Sequence, residues 1–167
     1  MPEQPGKLVR ESVSEYTEFA LPTDANPLGN VLGGKVMHLV DLAGAMAALR
    51  HARCHVVTAS IDYMTFLHPI RIGSLVILRS SVNRVFRSSM EVGVRVEVED
   101  LRTGHRRHAS SAYLTFVAID EAGKPIPLAR VIPETTEELR RYEQAEQRRL
   151  HRLELRDRAR RKEQSQA

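Results

Sequence analysis

Apolar and polar positions along this chain follow two distinct rhythms. Between Gly34 and His51 the period is helical: Val36, Val40, Ala43 and Ala47 recur at i, i+4, i+7 and i+11, and Met37, Gly44 and Met46 widen the stripe. Cationic Arg50 suits the carbonyl end of such a helix. Small residues on it (Ala43, Gly44, Ala45, Ala47, Ala48) allow close packing. Elsewhere the period is two. "SMEVGVRVEVED" carries the clearest alternation, with Val92, Val94, Val96 and Val98 on one face and Glu91, Arg95, Glu97 and Glu99 on the other. "ESVSEYTEFAL", "HVVTASIDY", "LVILRSSVNRVF" and "HASSAYLTFVAI" also read as strands. "MTFLHPIRIGS" reads as a connector, while "LRTGHR" and "DEAGKP" read as turns around a glycine. The first eight residues, Met1 to Leu8, are polar with two prolines and are expected to fray.

The order is therefore a strand, one apolar helix, and four strands joined largely by turns. A helix this apolar belongs inside, and an antiparallel sheet with one dry face would wrap it. The tail "TTEELRRYEQAEQRRLHRLELRDRARRKEQ" reads as a charged helix with Thr135 or Thr136 as N-cap. We expect an α+β domain over residues 9–132 and a charged helical extension over residues 133–167.

Charge changes this picture little. The net charge is +4, but between Arg140 and Glu163 nine Arg and one Lys stand against four Glu and one Asp. The excess of five belongs to the tail, so any nucleic-acid reading would have to rest there. Its cations alternate with acids and have a single aromatic, Tyr142, among them, which favours a solvated or interface helix and no nucleic-acid partner. A helix that only buttresses an oligomer is a further reading. No apolar run approaches the roughly 20 residues a membrane span needs, and "MPEQPGKLVRESVSEY" has no apolar leader core. We expect a cytoplasmic protein with no membrane association. The single cysteine, Cys54, lies between Arg53 and His55 and reads as a small half-buried residue.

Candidate chemistry centres on "TDANPLGNVLGGKVMHLVDLAG". The amides at a helix start lack partners and carry partial positive charge. Gly33 and Gly34 would let a carbonyl or oxyanion approach them, or would simply form a tight turn. Asp41 stands on the predicted helix beside core positions. It could lie at the stripe's edge in solvent, pair with an arginine, or deprotonate a water. Asn26 could hydrogen-bond a substrate carbonyl or serve only as an Asx-turn residue. His38 and Asp41 are too few for a metal site. "LGNVLGG" is neither a dinucleotide fingerprint nor a phosphate loop, and no GxSxG elbow occurs.

Together "DANPLGNVLGGKVMHLVDLAG", "VVTASIDYMTF", "RSSMEVGVRVEVED" and "GKPIPLARVIPET" resemble the hotdog-fold acyl-CoA thioesterases, nearest the bacterial and brain-type long-chain acyl-CoA hydrolases. The likeness runs roughly from Glu11 to Glu146. It implies a long central helix wrapped by a five- to six-stranded antiparallel sheet. It also implies sheets paired into dimers, hexamers built as trimers of dimers, and active sites at the dimer interface. Asn26 and Asp41 match the family's catalytic pair, with the same fifteen-residue spacing, and Gly33 and Gly34 match its helix start. Arg87, Ser88 and Ser89 match a region lining the CoA path, with Lys124 as a weaker candidate. Thr65 is a candidate for orienting water. Where relatives carry a His before the glycine pair this chain has Leu32, so no role is assigned to an imidazole there. The implied reaction is hydrolysis of a fatty acyl-CoA, with CoA as part of substrate and product and no metal or redox cofactor. A non-catalytic CoA- or acyl-binding regulator is the alternative.

Helix geometry agrees with a shared site. Seven residues from Gly34 to Asp41 span about 10 Å at ~1.5 Å per residue. One reacting carbonyl cannot easily sit about 3 Å from both. Amides and acid are therefore expected from different subunits.

Overall fold

The computed structural model describes residues 5–164. Its elements are β1 (Lys7–Leu8), β2 (Ser14–Phe19), α1 (Gly33–Ala52), β3 (His55–Phe66), β4 (Leu75–Val85), β5 (Ser89–Glu99), β6 (Arg106–Ile119), β7 (Val131–Ile132) and α2 (Thr136–Gln164). Five strands form an antiparallel sheet in the order β2-β4-β5-β6-β3. This is the hotdog arrangement that the resemblance implied, with α1 packed inside the sheet's curl.

The helical period sets which side of α1 meets the sheet. Val36, Leu39, Val40, Ala43, Ala47 and Ala48 are all at most 1% exposed. Opposite them lie Val92, Val94, Val96 and Val98, the alternating residues of β5, at most 3% exposed. Burying a side chain of this size stabilises by about 1.5–3 kcal/mol. Gly44 lets the helix press on Phe116, because a Cβ there would lie 3.1 Å from the ring. A buried serine adds a polar tie, with Ser80 Oγ donating to the Ala43 carbonyl at 2.6 Å. Met37, expected in the stripe, is instead exposed with Leu42 on the side of α1 that the sheet leaves open.

Two further expectations need correction. Lys7–Leu8 does not fray: it pairs in parallel with Val131–Ile132, and Lys7 Nζ donates to the His51 carbonyl at 2.6 Å. Residues 1–4 of the segment expected to fray lie outside the described residues. Met64, Thr65 and Phe66, read as connector, extend β3 against Ala112, Ser111 and Ser110.

The tail is a helix, as its pattern predicts. Thr135 is the cap: its Oγ1 accepts from Glu138 N–H, and Glu138 Oε2 accepts in return from Thr135 N–H, both at 3.2 Å. The helix is not simply solvated, because its first half docks on the outer face of the sheet. Ala145 is fully buried there. Arg148 donates through Nε and Nη2 to Glu91 at 3.0 and 2.7 Å, and its guanidinium lies 3.7 Å from the Tyr113 ring centre. Glu91 is 1% exposed and also accepts from Asn83 Nδ2 at 2.9 Å. Arg149 covers Phe86, Arg84 covers Tyr142, and Arg152 pairs with Asp62.

Candidate active site

Asp41 lies on the open side of α1, half-buried, four residues after exposed Met37 and next to exposed Leu42. Among the described residues no arginine is bonded to it. Its partner is Thr58 on β3, whose Oγ1 donates to Asp41 Oδ1 at 2.8 Å. Oδ2 makes no hydrogen bond to the described residues. β3 is the last strand of the sheet, so this hydroxyl–carboxylate couple sits at an unpaired edge. Val57 and Ile61 beside it are 45% and 36% exposed. The result is a half-buried carboxylate fixed through one oxygen beside the sheet's open edge.

The second group of candidates lies at the start of α1. Asn26 does form an Asx turn, with Oδ1 accepting from Leu28 N–H at 2.9 Å and from Asn30 N–H at 3.1 Å. Those bonds leave Nδ2 as a donor with no partner among the described residues. Leu32 is the N-cap and supplies no side-chain acceptor to the first turn. Gly34 is exposed, and nothing lies within 4 Å of where a Cβ would be. Gly33 lies 3.6 Å from the Phe66 ring by the same measure, which brings the far end of β3 to the helix start. Lys35 anchors this turn to Glu18 on β2 and to Asp24 in the loop, at 3.3 and 3.4 Å. The Tyr16 hydroxyl donates to Glu18 at 2.6 Å. That bond, followed by Lys35, holds the Glu18 carboxyl below its ordinary range. The loop carrying Asn26 is thus tied on both sides.

The other candidates separate. Thr65 pairs with Ser111, on the outer face of the sheet, whereas Thr58 pairs with Phe116 on the face that meets α1. Thr65 therefore does not accompany Asp41, and Thr58 does. Arg87 and Ser88 lie in the β4–β5 turn and Ser89 begins β5, with Arg87 exposed. Ala118 N–H donates to the Ser88 carbonyl, and the Ala118 carbonyl accepts from Ile126 N–H. These bonds bring the turn containing exposed Lys124 to the same end of the sheet, the end nearest Thr58. Among the described residues no three His, Cys, Asp or Glu side chains gather as a metal site. No helix among them is long and apolar enough to cross a membrane. Cys54 is half-buried.

Residues 28–105 match the family model described as the thioesterase superfamily. An acyl-CoA thioester hydrolase of Bacillus subtilis, YkhA, is 44% identical over 85% of this chain and 83% of its own length. A hexameric acyl-CoA thioesterase crystal structure superposes with a TM-score of 0.87 at 41% identity, covering 90% of this chain and 96% of that one. An acyl-CoA hydrolase from Staphylococcus aureus, solved with butyryl-CoA, CoA and CoA disulfide, gives 0.88 at 35% identity over 95% and 96% of the two chains. Alanine variants of that enzyme have been solved at an asparagine, an aspartate and a threonine. Fifteen residues separate the first two and seventeen the last two. Asn26, Asp41 and Thr58 repeat those residue types at the same spacings. A hotdog sheet around an apolar helix, an acid at its open edge and identity of this extent along most of the sequence lead to one assignment: the chain belongs to the thioesterase superfamily.

Proposed function

We propose that this protein hydrolyses acyl-CoA thioesters to a fatty acid and CoA, with Asp41 as general base and Thr58 holding it. The observation that carries the reading is the Thr58–Asp41 hydrogen bond at an open, apolar strand edge. Thr58 occupies Oδ1 and leaves Oδ2 to take a proton from water. The water oxygen then attacks the thioester carbon, the C–S bond breaks, and the CoA thiolate leaves and is protonated. Direct attack by the carboxylate, giving an anhydride that water opens, is the second possibility. Asn26 Nδ2 and the Gly34 amide are suited to hold the thioester oxygen as negative charge grows on it. A non-catalytic binder would have no need of a carboxylate oriented in this way.

The two half-sites belong to different subunits on this reading. An edge strand with free N–H and C=O groups is a template for a second copy. Antiparallel pairing of β3 with itself about its middle sets the Thr58 end of one copy against the Phe66 end of the other, and Phe66 touches the Gly33 turn. Acid and oxyanion donors would then converge from two protomers. Dimers of this kind assembling as trimers of dimers fit the hexameric relatives. Arg87, Ser88, Ser89 and Lys124, gathered near Thr58, are candidates for the CoA moiety. We assign this activity to a unit spanning residues 9–132, with a charged extension over residues 133–167, in a cytoplasmic protein.

Mixing Asn26→Ala and Asp41→Ala subunits tests the proposal. Each parent should be nearly inactive in a thiol-release assay with acyl-CoA, and the reassorted mixture should regain activity. A mixture no better than its parents would refute a shared site. Full turnover by Asp41→Ala would refute the base.

A further inference from the structure

We infer that Asp62 of β3 and Arg152 of the tail helix are positioning residues for this reaction, acting by holding a strand bulge that decides which way Thr58 faces. The inference rests on the role proposed above for Thr58 and Asp41.

β3 does not pair evenly with β6. Met64 faces Ala112 and Tyr63 faces Tyr113, but the next pair is Ile61 with Leu114, so Asp62 is skipped. Ser60 then faces Thr115 and Thr58 faces Phe116, so Ala59 is skipped too. Each extra residue reverses the face that the following side chains present. Suppose the bulge at Asp62 were flattened while the pairing from Tyr63 to Phe66 stayed fixed. Asp62 would then oppose Leu114, Ser60 would oppose Phe116, and Thr58 would oppose Val117 and turn to the outer face. The hydroxyl would leave Asp41 although the change lay four residues away, at Asp62.

The bulge is held by side chains, since its own backbone is out of the ladder. Ser60 Oγ donates to Asp62 Oδ1 at 2.8 Å, and Arg152 Nη1 donates to Asp62 Oδ2. Asp62 retains only 12% of its side-chain exposure and Arg152 25%, so water screens this pair poorly. Arg152 lies one helical turn beyond Arg148, which Glu91 fixes with two hydrogen bonds. The charged tail thus ends its docked half on the strand that carries Thr58. Its sequence alone suggested solvent or a partner as its surroundings.

The test compares Arg152→Gln, Asp62→Asn and Thr58→Val in the full-length assembled protein, with saturating acyl-CoA and thiol detection. Arg152→Gln and Asp62→Asn should each lower kcat about tenfold, the scale of a small misplacement, and leave KM within about twofold. Adding either to Thr58→Val should cause no further loss, because both act through that hydroxyl. Arg152→Lys, which keeps a cation, should recover most of kcat. Amide exchange at Ser60 and Ile61 should speed up in Arg152→Gln, a readout independent of turnover. Wild-type kcat in folded Arg152→Gln, or losses that multiply with Thr58→Val, would overturn the inference. If Thr58→Val and Asp41→Ala themselves kept full kcat, the underlying catalytic reading would fall instead.

Discussion

Removing Arg148 should cost more stability than removing any other arginine of the tail helix. Glu91 is 1% exposed and receives two of its three hydrogen bonds from Arg148. In Arg148→Met the apolar stem remains over Tyr113, but a buried carboxylate keeps only Asn83 as donor. Breaking one side of such a pair costs about 3–5 kcal/mol, a large part of the roughly 5–15 kcal/mol that holds a domain folded. Urea unfolding at fixed subunit concentration should show a midpoint lower by about 2 M, taking a slope of about 2 kcal/mol per molar. Arg156→Met is the control, because its partner Asp157 is 3.7 Å away and both side chains are over half exposed. It should change stability by less than about 0.5 kcal/mol. The double variant Glu91→Leu, Arg148→Met removes both charges and should recover part of the loss. It leaves the Asn83 amide unpaired, at about 1–3 kcal/mol. A loss below about 1 kcal/mol for Arg148→Met, or a double variant weaker than the single, would refute a buried clamp.

Two further outcomes follow from the core. His51 is 1% exposed, with Nε2 2.8 Å from the Ala129 carbonyl, and burial lowers its pKa from 6.5 despite that carbonyl and Glu11, with Lys7 adding to the depression. The folded state keeps it neutral while the unfolded chain takes up a proton. Stability is therefore full above about pH 6.5 and falls as pH drops below it, by up to about 1.4 kcal/mol per pH unit. Glu18 and Glu97, whose pKa values are lowered from 4.5, act only at lower pH. Melts between pH 7.5 and 5 (on the order of the His range) should show this slope in the native protein and lose it in His51→Gln. Gly44→Val would drive its side chain into the Phe116 ring and should destabilise by about 1–3 kcal/mol, measured by urea melts.

The fold was largely legible because each period met the partner it implied. Val36, Val40, Ala43 and Ala47 face Val92 to Val98, as two complementary patterns should. Met37 misled because a stripe's margin carries no record of where the sheet stops. Lys7–Leu8 was missed because two residues have no period, and their pairing with Val131–Ile132 is set by the whole chain's path. Asn26, Gly34 and Asp41 could be singled out from one contiguous stretch. Thr58 could not, because its direction depends on two skipped residues that no alternation announces, and Thr65 looked equivalent. Glu91 and Arg148 sit 57 residues apart, each within a run of charges. Only docking shows that one of those acids is buried.

The contact of Gly44 with Phe116 bears on how such a protein could change its substrates. A single added carbon at Gly44 would already crowd the ring at 3.1 Å, so along this line the protomer's interior has no room for a guest methylene. On the shared-site reading proposed above, an alkyl tail would instead be measured along surface furnished by two molecules. Selection for longer or shorter tails would then act on residues of that shared surface and spare the helix-to-sheet packing, so that preference and foldedness could drift independently.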